Sequence, residues 1–516
     1  MTRRLLAPDR RGPEERLTRD QTSGATPGAA ANPVRTEARL GQTTPAPALE
    51  DDTTVLSTFF PPAPPCRRGR TTTMIESALF LAVGTWLVLA SRHGGFLHRV
   101  WAEDGSWVLT DAFAHPPGLS QLFRPFSGYL NLYPRLAGAL CTAFPVRDAA
   151  AVLATVSAVT AAGVSLLVWR VSASHLRSTS LRAALALGTL VLPIAAPEML
   201  ANSVNVQWWL WWAALWALLW RPSTWGGRLT ATSLTLVAAL SSPLAVILLP
   251  LIALRLVGLR DWRQQLVSVA LAAGCFAQVV VHLVEPPSDV LSPPVLASAQ
   301  AYAVRVGVGA FLGVRGTSRL WGAHPGMALL AAGVAVTVLV GCAAGRRDGR
   351  SLKPLTFAAL SMTLFAAPLV LRGRIPLAHP GLYLSLITGG RYSFLPQLTL
   401  LTGLFFAIDR RGARPRWERG HGGPARRGRL TGGNRPSGDA VRATVQGAVL
   451  VVLAAAWLHD GWLDRGPASP VVGERWGAQV AAATVQCRAQ RVQNVILPIS
   501  PEGGDFRVRV PCARLR

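Results

Sequence analysis

Long apolar runs separated by short polar stretches dominate the chain from residue 75 onwards. A helix needs about 20 apolar residues to cross the hydrocarbon core of a bilayer, so the shorter runs must extend into the interface. The pattern predicts an all-α polytopic membrane protein. The apolar runs are Ile75–Ala90, Ala149–Trp169, Leu181–Leu200, Trp208–Trp220, Leu229–Val257, Leu266–Val284, Met327–Ala344, Leu355–Leu371, Phe394–Ile408 and Val445–Leu458.

One of these runs is too long for a single ordinary crossing. Leu229–Val257 is interrupted by Ser241-Ser242-Pro243, and proline ends or kinks helices because it lacks a backbone N–H. We therefore predict that this run forms either two crossings or a re-entrant hairpin. Counted as two, it brings the total to about 11 transmembrane helices.

Composition and charge also indicate a membrane protein. Charged residues make up 15% of the chain, against about 25% in an average soluble domain. The net charge of +26 would suggest nucleic acid in a soluble protein. Here, however, arginines such as Arg170, Arg177 and Arg221 follow apolar runs, as they do in cytoplasmic loops. We predict a multi-pass protein of the bacterial plasma membrane that contacts membrane lipids, has its N-terminus inside and has no nucleic-acid partner.

The chain divides into three predicted parts. Residues 1–73 are rich in proline, threonine and charge, which predicts a disordered cytoplasmic tail. Met74 stands directly before the first apolar run, so we also hypothesise that translation begins there. Residues 74–458 form the transmembrane domain, with a large first outer loop at 91–147 and a basic cytoplasmic loop at 409–442. Smaller outer loops are predicted at 285–325 and 372–392, and an extracytoplasmic tail at 459–516.

The C-terminal tail has the features of a small folded cap. Two strands are predicted at Asn494–Pro498 and Phe506–Pro511. Cys487 and Cys512 are the only cysteines that share a predicted outer segment, and a disulfide between them would stabilise so small a fold. The cysteine spacing shows no zinc, haem or iron–sulfur pattern.

The first candidate catalytic residues lie in the first outer loop, which contains Trp101-Ala102-Glu103-Asp104-Gly105. Two neighbouring carboxylates beside a low-dielectric bilayer raise the pKa of one of them, which suits a general base. The alternative is structural, because Asp is a favoured N-cap and Asp104 precedes a helix-like stretch. Both roles can hold at once.

The topology and this acidic pair resemble the GT-C class of glycosyltransferases. These polytopic enzymes take a sugar from a polyprenyl-phosphate carrier and keep a catalytic Asp or Glu in the first outer loop. The resemblance implies that Asp104 is the general base for an acceptor hydroxyl on a cell-envelope glycan, lipid or protein. It further implies that Glu103 orients Asp104 or helps to hold a divalent cation. The Trp-Ala-Glu-Asp-Gly and Gly-Tyr-Leu…Pro-Arg segments also resemble a loop of actinobacterial membrane proteins, which implies no activity.

A lipid-phosphate donor needs cations at the outer interface. Guanidinium groups match phosphate geometry in two-pronged fashion, although snorkelling and pairing with acidic lipids are the alternatives. The candidate phosphate ligands are arginines of the predicted outer loops with nearby polar side chains: Arg135 behind Tyr129, and Arg372, Arg374 and Arg391 with His379 and Tyr392.

A sugar site is predicted where the third and fourth apolar runs meet. Asn202 and Asn205 precede Trp208, and amides with indoles suit a sugar's hydroxyls and C–H faces. The alternative is a tryptophan belt at the membrane interface, which the following Trp209, Trp211 and Trp212 favour.

Two other functions remain open at this point. A transporter or lipid-handling protein would place ionisable residues within its spans, and the apolar runs are nearly free of charge. A non-catalytic membrane scaffold would tolerate replacement of Glu103 and Asp104.

Overall fold

The structure, a computed structural model, describes residues 56, 58–62, 69–90, 95–115, 117–195, 199–285, 295–344, 351–371, 389–409, 438–460, 475–490, 492–500 and 505–515 of the 516-residue chain. The α-helices among these residues are α1 (Arg70–Ala90), α2 (Thr110–Ala114), α3 (Leu119–Leu122), α4 (Leu132–Cys141), α5 (Ala149–Val171), α6 (Thr179–Val191), α7 (Val206–Leu219), α8 (Trp225–Ala239), α9 (Leu249–Gly258), α10 (Trp262–Val284), α11 (Val295–Tyr302), α12 (Gly309–Ala323), α13 (Pro325–Ala344), α14 (Leu352–Leu371), α15 (Arg391–Ile408), α16 (Gly438–Leu458) and α17 (Trp476–Gln490), and the strands are β1 (Asn494–Pro498) and β2 (Arg507–Pro511).

The chain is a helical membrane protein. Among the described residues, five helical stretches are long and apolar enough to cross a bilayer: Thr71–Ala90, Val146–Ser174, Trp262–Val284, Val295–Ala323 and Leu352–Val370. Shorter apolar helices accompany them. Large side chains such as Phe276 and Leu283 are more than 70% exposed, which a soluble protein avoids and a lipid-facing surface requires. The number of crossings and their orientation stay predictions.

The break predicted in the long apolar run is present. Helix α8 ends at Ala239, and a 3₁₀ segment at Pro243–Leu248 leads into α9. Ser242 is extended before the proline. Proline therefore separates two helices here, as its missing N–H requires.

The prediction that residues 285–325 form only an outer loop was wrong. Helices α11 and α12 lie there, joined by a π-helical turn at Ala303–Val308. Arg305 breaks the apolar pattern in the sequence, yet it is 1% exposed, and its carbonyl accepts a hydrogen bond from Gln397 Nε2 at 2.6 Å. Because packing inside the bundle buries this arginine, hydropathy alone missed the helix.

The predicted boundary of the N-terminal tail at residue 73 was also wrong. Phe59 and Phe60 are buried in the helical core. The carbonyl of Phe60 accepts a hydrogen bond from Arg221 at 3.2 Å, and the carbonyl of Thr58 accepts one from Lys353 at 3.1 Å. Packed structure therefore precedes Met74, and the start of translation at Met74 stays a hypothesis. Residues 1–55 lie outside the described residues.

The C-terminal tail folds onto the first loop, residues 91–147. Strands β1 and β2 pair antiparallel with Val495 opposite Val510, which confirms the predicted strand pair. A disulfide joins Cys487 to Cys512, the pairing that the sequence left open. The tail's hydrophobic residues share one core with Val100, Leu109 and Phe113 of the loop.

Candidate functional site

The acidic pair is held in place by the C-terminal tail. Ala102 has a left-handed backbone with φ of 33°, and its N–H donates to the carbonyl of Ser500 at 2.6 Å. A Cβ at Gly105 would overlap Ile499 and would lie 2.6 Å from Val508 Cγ2. Glycine is required at this position because the tail's hairpin packs directly against the backbone.

Asp104 is bound to the turn that precedes α7. Its carboxylate is 2% exposed and accepts three hydrogen bonds, from Ser203 Oγ at 2.5 Å, Ser203 N at 2.9 Å and Val204 N at 3.0 Å. Burial raises the pKa of Asp104 to about 6; these hydrogen bonds oppose the rise and the charge of Glu103 adds to it. All three hydrogen bonds come from another segment, so the Asp104 carboxylate joins two parts of the chain rather than capping its own helix.

Glu103 contacts a different partner from Asp104, and its side chain is more exposed than that of Asp104. Its Oε1 lies 3.2 Å from Nη1 of Arg391, the first residue of α15, and the two side chains are 28% and 27% exposed. Arg391 lies over the ring of Tyr392, which meets Trp208 edge-on at 5.4 Å. A carboxylate, a guanidinium, a phenol and an indole from three distant segments therefore meet at one place.

The two asparagines predicted as sugar ligands form hydrogen bonds within the turn that precedes α7. Asn202 and Asn205 are each 1% exposed. Asn202 Oδ1 accepts from the backbone N–H of Asn205 at 3.2 Å, and Asn205 Oδ1 accepts from Trp208 Nε1 at 3.3 Å. These oxygens order the start of α7 beside Asp104 and are already occupied, and the ring of Trp208 is itself 5% exposed.

The tryptophan belt is not what the structure shows. Trp209, Trp211 and Trp212 are at most 1% exposed and lie in the helical core. Their indole N–H groups donate to the Thr189 carbonyl, the Leu244 carbonyl and the Thr189 hydroxyl. An interfacial belt would face lipid headgroups, whereas these rings bind neighbouring helices together.

Arg135 lies at a separate place in the first loop. It pairs with Asp111 at 3.4 Å and sits over the ring of Trp107. Burial lowers the pKa of the Arg135 guanidinium, and Asp111 opposes that change. Tyr129 is 9% exposed in the same loop. The predicted Arg372, Arg374 and His379 lie outside the described residues.

A divalent cation does not fit the residues around the acidic pair. The carboxylate of Asp104 already accepts three hydrogen bonds, and Glu103 faces the positive charge of Arg391. Among the described residues, no three His, Cys, Asp or Glu side chains come together as metal ligands do. The chemistry of the site therefore rests on its side chains.

Sequence reasoning missed Ser203 and Asp111. Ser203 stands between the two asparagines singled out in the sequence, so its neighbours were the only signal. Asp111 lies on the helix-like stretch after the acidic pair, and only its contact with Arg135 sets it apart.

Comparisons with models of protein families, with curated protein sequences and with solved structures found no match for this chain. The fold and the site thus define a class: a polytopic helical membrane protein with an accessible carboxylate–guanidinium pair. A buried second carboxylate lies next to this pair in the sequence, and the C-terminal hairpin packs against the backbone of the same segment.

Proposed function

We propose that this chain is a membrane glycosyltransferase of the GT-C kind, which moves a sugar from a polyprenyl-phosphate carrier to an acceptor outside the cytoplasm. One observation carries the proposal: Glu103 and Arg391 meet as a partly exposed pair, 3.2 Å apart. A transferase needs an accessible carboxylate to take a proton and a nearby cation to bind phosphate.

The geometry favours a different division of roles from the one implied by the resemblance. Asp104 is buried and accepts three hydrogen bonds, so an acceptor hydroxyl cannot reach it without breaking them. Glu103 is 28% exposed. In this proposal Glu103 is the general base, and Asp104 is a positioning residue that holds Glu103 and the turn before α7 in register.

The proposed sugar transfer needs no groups other than Glu103, Arg391 and the two substrates. The acceptor hydroxyl gives its proton to the Glu103 carboxylate as its oxygen forms a bond to the anomeric carbon. The bond from that carbon to the phosphate oxygen breaks, and the electron pair leaves with polyprenyl phosphate. Arg391 exchanges its bond to Glu103 for one to the phosphate, which frees the base and stabilises the departing charge.

Aromatic side chains beside the pair suit the transferred sugar. Tyr392 and Trp208 meet edge-on at 5.4 Å next to Arg391. Sugars pack their C–H faces on such rings. Trp208 is buried at 5% exposure, whereas Tyr392 is partly exposed, so the ring of Tyr392 would hold the sugar beside the base and the phosphate ligand, with Trp208 supporting that ring.

The test measures release of polyprenyl phosphate from a panel of polyprenyl-phosphate sugars by the purified full chain in detergent. Glu103→Gln should lower turnover about 100-fold or more while donor binding and thermal stability stay close to wild type. Asp148→Asn is the matched control, because this acid directly follows the same loop, is 46% exposed and pairs with the neighbouring Arg147. Turnover by Glu103→Gln at the wild-type rate, or none by wild type across the panel, would overturn the proposal.

A second candidate, a lipid-handling protein, is favoured by one observation. An apolar cavity of about 340 Å³ lies between the π-helical turn, α13 and α15, lined by residues such as Gly307, Gly333 and Leu404. Such a cavity suits a lipid chain and needs no base. An added Cβ at Gly333 meets no atom within 4 Å. For a lipid-handling protein, Gly333→Leu would therefore fill space and reduce the lipid that co-purifies, whereas Glu103→Gln would have no effect.

A further inference from the structure

A cleft opens in the first loop, apart from the Glu103–Arg391 pair, and its mostly apolar walls also carry Asp111, Gln121 and Arg135. The space between its walls is about 30 Å³, enough for one or two hydroxyl groups but not for a whole sugar ring, and it opens to solvent. Helices α2, α3 and α4 contribute to its walls, and Trp107 forms one side, stacked on Phe126 with ring centroids 4.2 Å apart. The proposed transfer step uses none of these residues.

Three buried polar atoms on residues that line this cleft have no hydrogen-bond partner among the described residues: Arg135 Nε, Trp107 Nε1 and Gln121 Oε1. Arg135 and Trp107 are each 8% exposed. Buried polar groups are normally satisfied, and leaving one without a partner costs about 1–3 kcal/mol. Two donors and one acceptor on the walls of a single cleft therefore indicate a polar ligand.

The charges of the cleft narrow the class of ligand. Arg135 is paired with Asp111 at 3.4 Å, so the positive charge on the wall is compensated. Arg124 is near enough to affect the pKa of Arg135 but does not line the cleft. An anion would compete with Asp111 for Arg135, whereas a hydroxyl accepts from an N–H and donates to a carboxylate or amide oxygen.

We propose that this cleft binds the hydroxyl edge of a neutral sugar ring, and that this sugar belongs to the acceptor glycan. Arg135 and Trp107 donate to its hydroxyl oxygens, while Gln121 and the Asp111 carboxylate accept from its hydroxyl hydrogens. The assignment of this sugar to the acceptor glycan rests on the proposed glycosyltransferase function, whereas the binding of a sugar in the cleft does not.

The test is saturation-transfer NMR of the purified full chain in a non-glycosidic detergent, with D-mannose, D-glucose, D-galactose and D-arabinose as probes. Trp107→Phe keeps an aromatic ring against Phe126 and removes the indole N–H, so we expect the Kd of the bound sugar to rise about five-fold. Trp262→Phe is the control, because Trp262 is 59% exposed on α10.

The outcomes separate this inference from the proposed function. Binding of one of the sugars that weakens in Trp107→Phe and not in Trp262→Phe supports the cleft, whether or not the chain has transferase activity. No binding of the panel by wild type overturns the cleft even if turnover is observed. Equal affinities of wild type and Trp107→Phe, or a preference for inorganic phosphate over every sugar, also overturn it.

Discussion

Glu103 Oε1 lies 3.2 Å from Arg391 Nη1, although 288 residues separate them in the chain. The pair joins the first loop to the start of α15 and leaves both side chains partly exposed. An exposed ion pair contributes little to stability. Its placement beside Trp208 and Tyr392 is the geometry on which the proposed donor site rests.

The first prediction concerns Arg391. Arg391→Gln should raise the KM for the polyprenyl-phosphate sugar about 10- to 100-fold, because a hydrogen bond to a charged group is worth about 1.5–3 kcal/mol. Thermal stability should change little, since both side chains are partly exposed to solvent. Initial rates at varied donor concentration give KM, and Arg147→Gln, whose side chain is 72% exposed, is the control. An unchanged donor KM would remove Arg391 from the phosphate site.

The second prediction concerns the hydrogen bonds of Asp104. Asp104→Asn places an amide NH₂ where a carboxylate oxygen now accepts from Ser203 or Val204. One donor then faces another, so we expect a loss of about 1–3 kcal/mol in the free energy of unfolding. Thermal unfolding in detergent, compared with Asp148→Asn, measures this loss. Equal stability of the two variants would show that the contact does not hold the loop.

The pH dependence of stability follows from the same group. Burial raises the pKa of Asp104 to about 6 from its ordinary 3.8, so the folded chain holds this proton more tightly than the unfolded chain. The contribution of Asp104 to stability is therefore most favourable below about pH 4 and falls by about 3 kcal/mol as the pH rises through about 6.

Thermal unfolding of wild type and Asp104→Asn between about pH 4 and pH 7 measures this contribution. The stability of wild type relative to the variant should decrease as the pH rises, because the other titrating groups are common to both proteins. A difference that stays constant, or that changes in the opposite direction, would contradict the raised pKa.

The fourth prediction concerns Gly105. Gly105→Ala should displace the C-terminal hairpin, because the new Cβ would overlap Ile499 and crowd Val508. Overpacking of this kind costs about 1–3 kcal/mol. We expect faster proteolysis of the tail, followed by mass spectrometry of its fragments. Gly118→Ala is the control in the same loop, since an added Cβ there meets no atom within 4 Å.

The fifth prediction concerns the segment before Met74. Deletion of residues 1–73 removes Phe59 and Phe60 from the core, along with the carbonyls that accept hydrogen bonds from Arg221 and Lys353. We expect a loss of at least about 3 kcal/mol, the usual cost of losing one buried phenylalanine. Deletion of residues 1–55 keeps these contacts and is the control. Equal thermal stability of the two deletions would show that the segment is dispensable.

Local patterns in the sequence were enough to predict most of the helices and the strand pair. Apolar runs predict helices because a segment in a bilayer must satisfy its own backbone hydrogen bonds. The proline after Ser242 predicts the break between α8 and α9 for a similarly local reason. Alternating exposed and buried residues in β1 and β2 agree with a half-buried hairpin.

The tertiary structure decided which side chains can do chemistry. The sequence presents Glu103 and Asp104 as equivalent neighbours, yet the fold exposes the first and buries the second against Ser203, 99 residues away. It also placed the tryptophans of α7 in the core, whereas their pattern in the sequence favoured an interfacial belt. Exposure and partners depend on contacts between distant segments, and hydropathy along the chain carries no information about which segments meet.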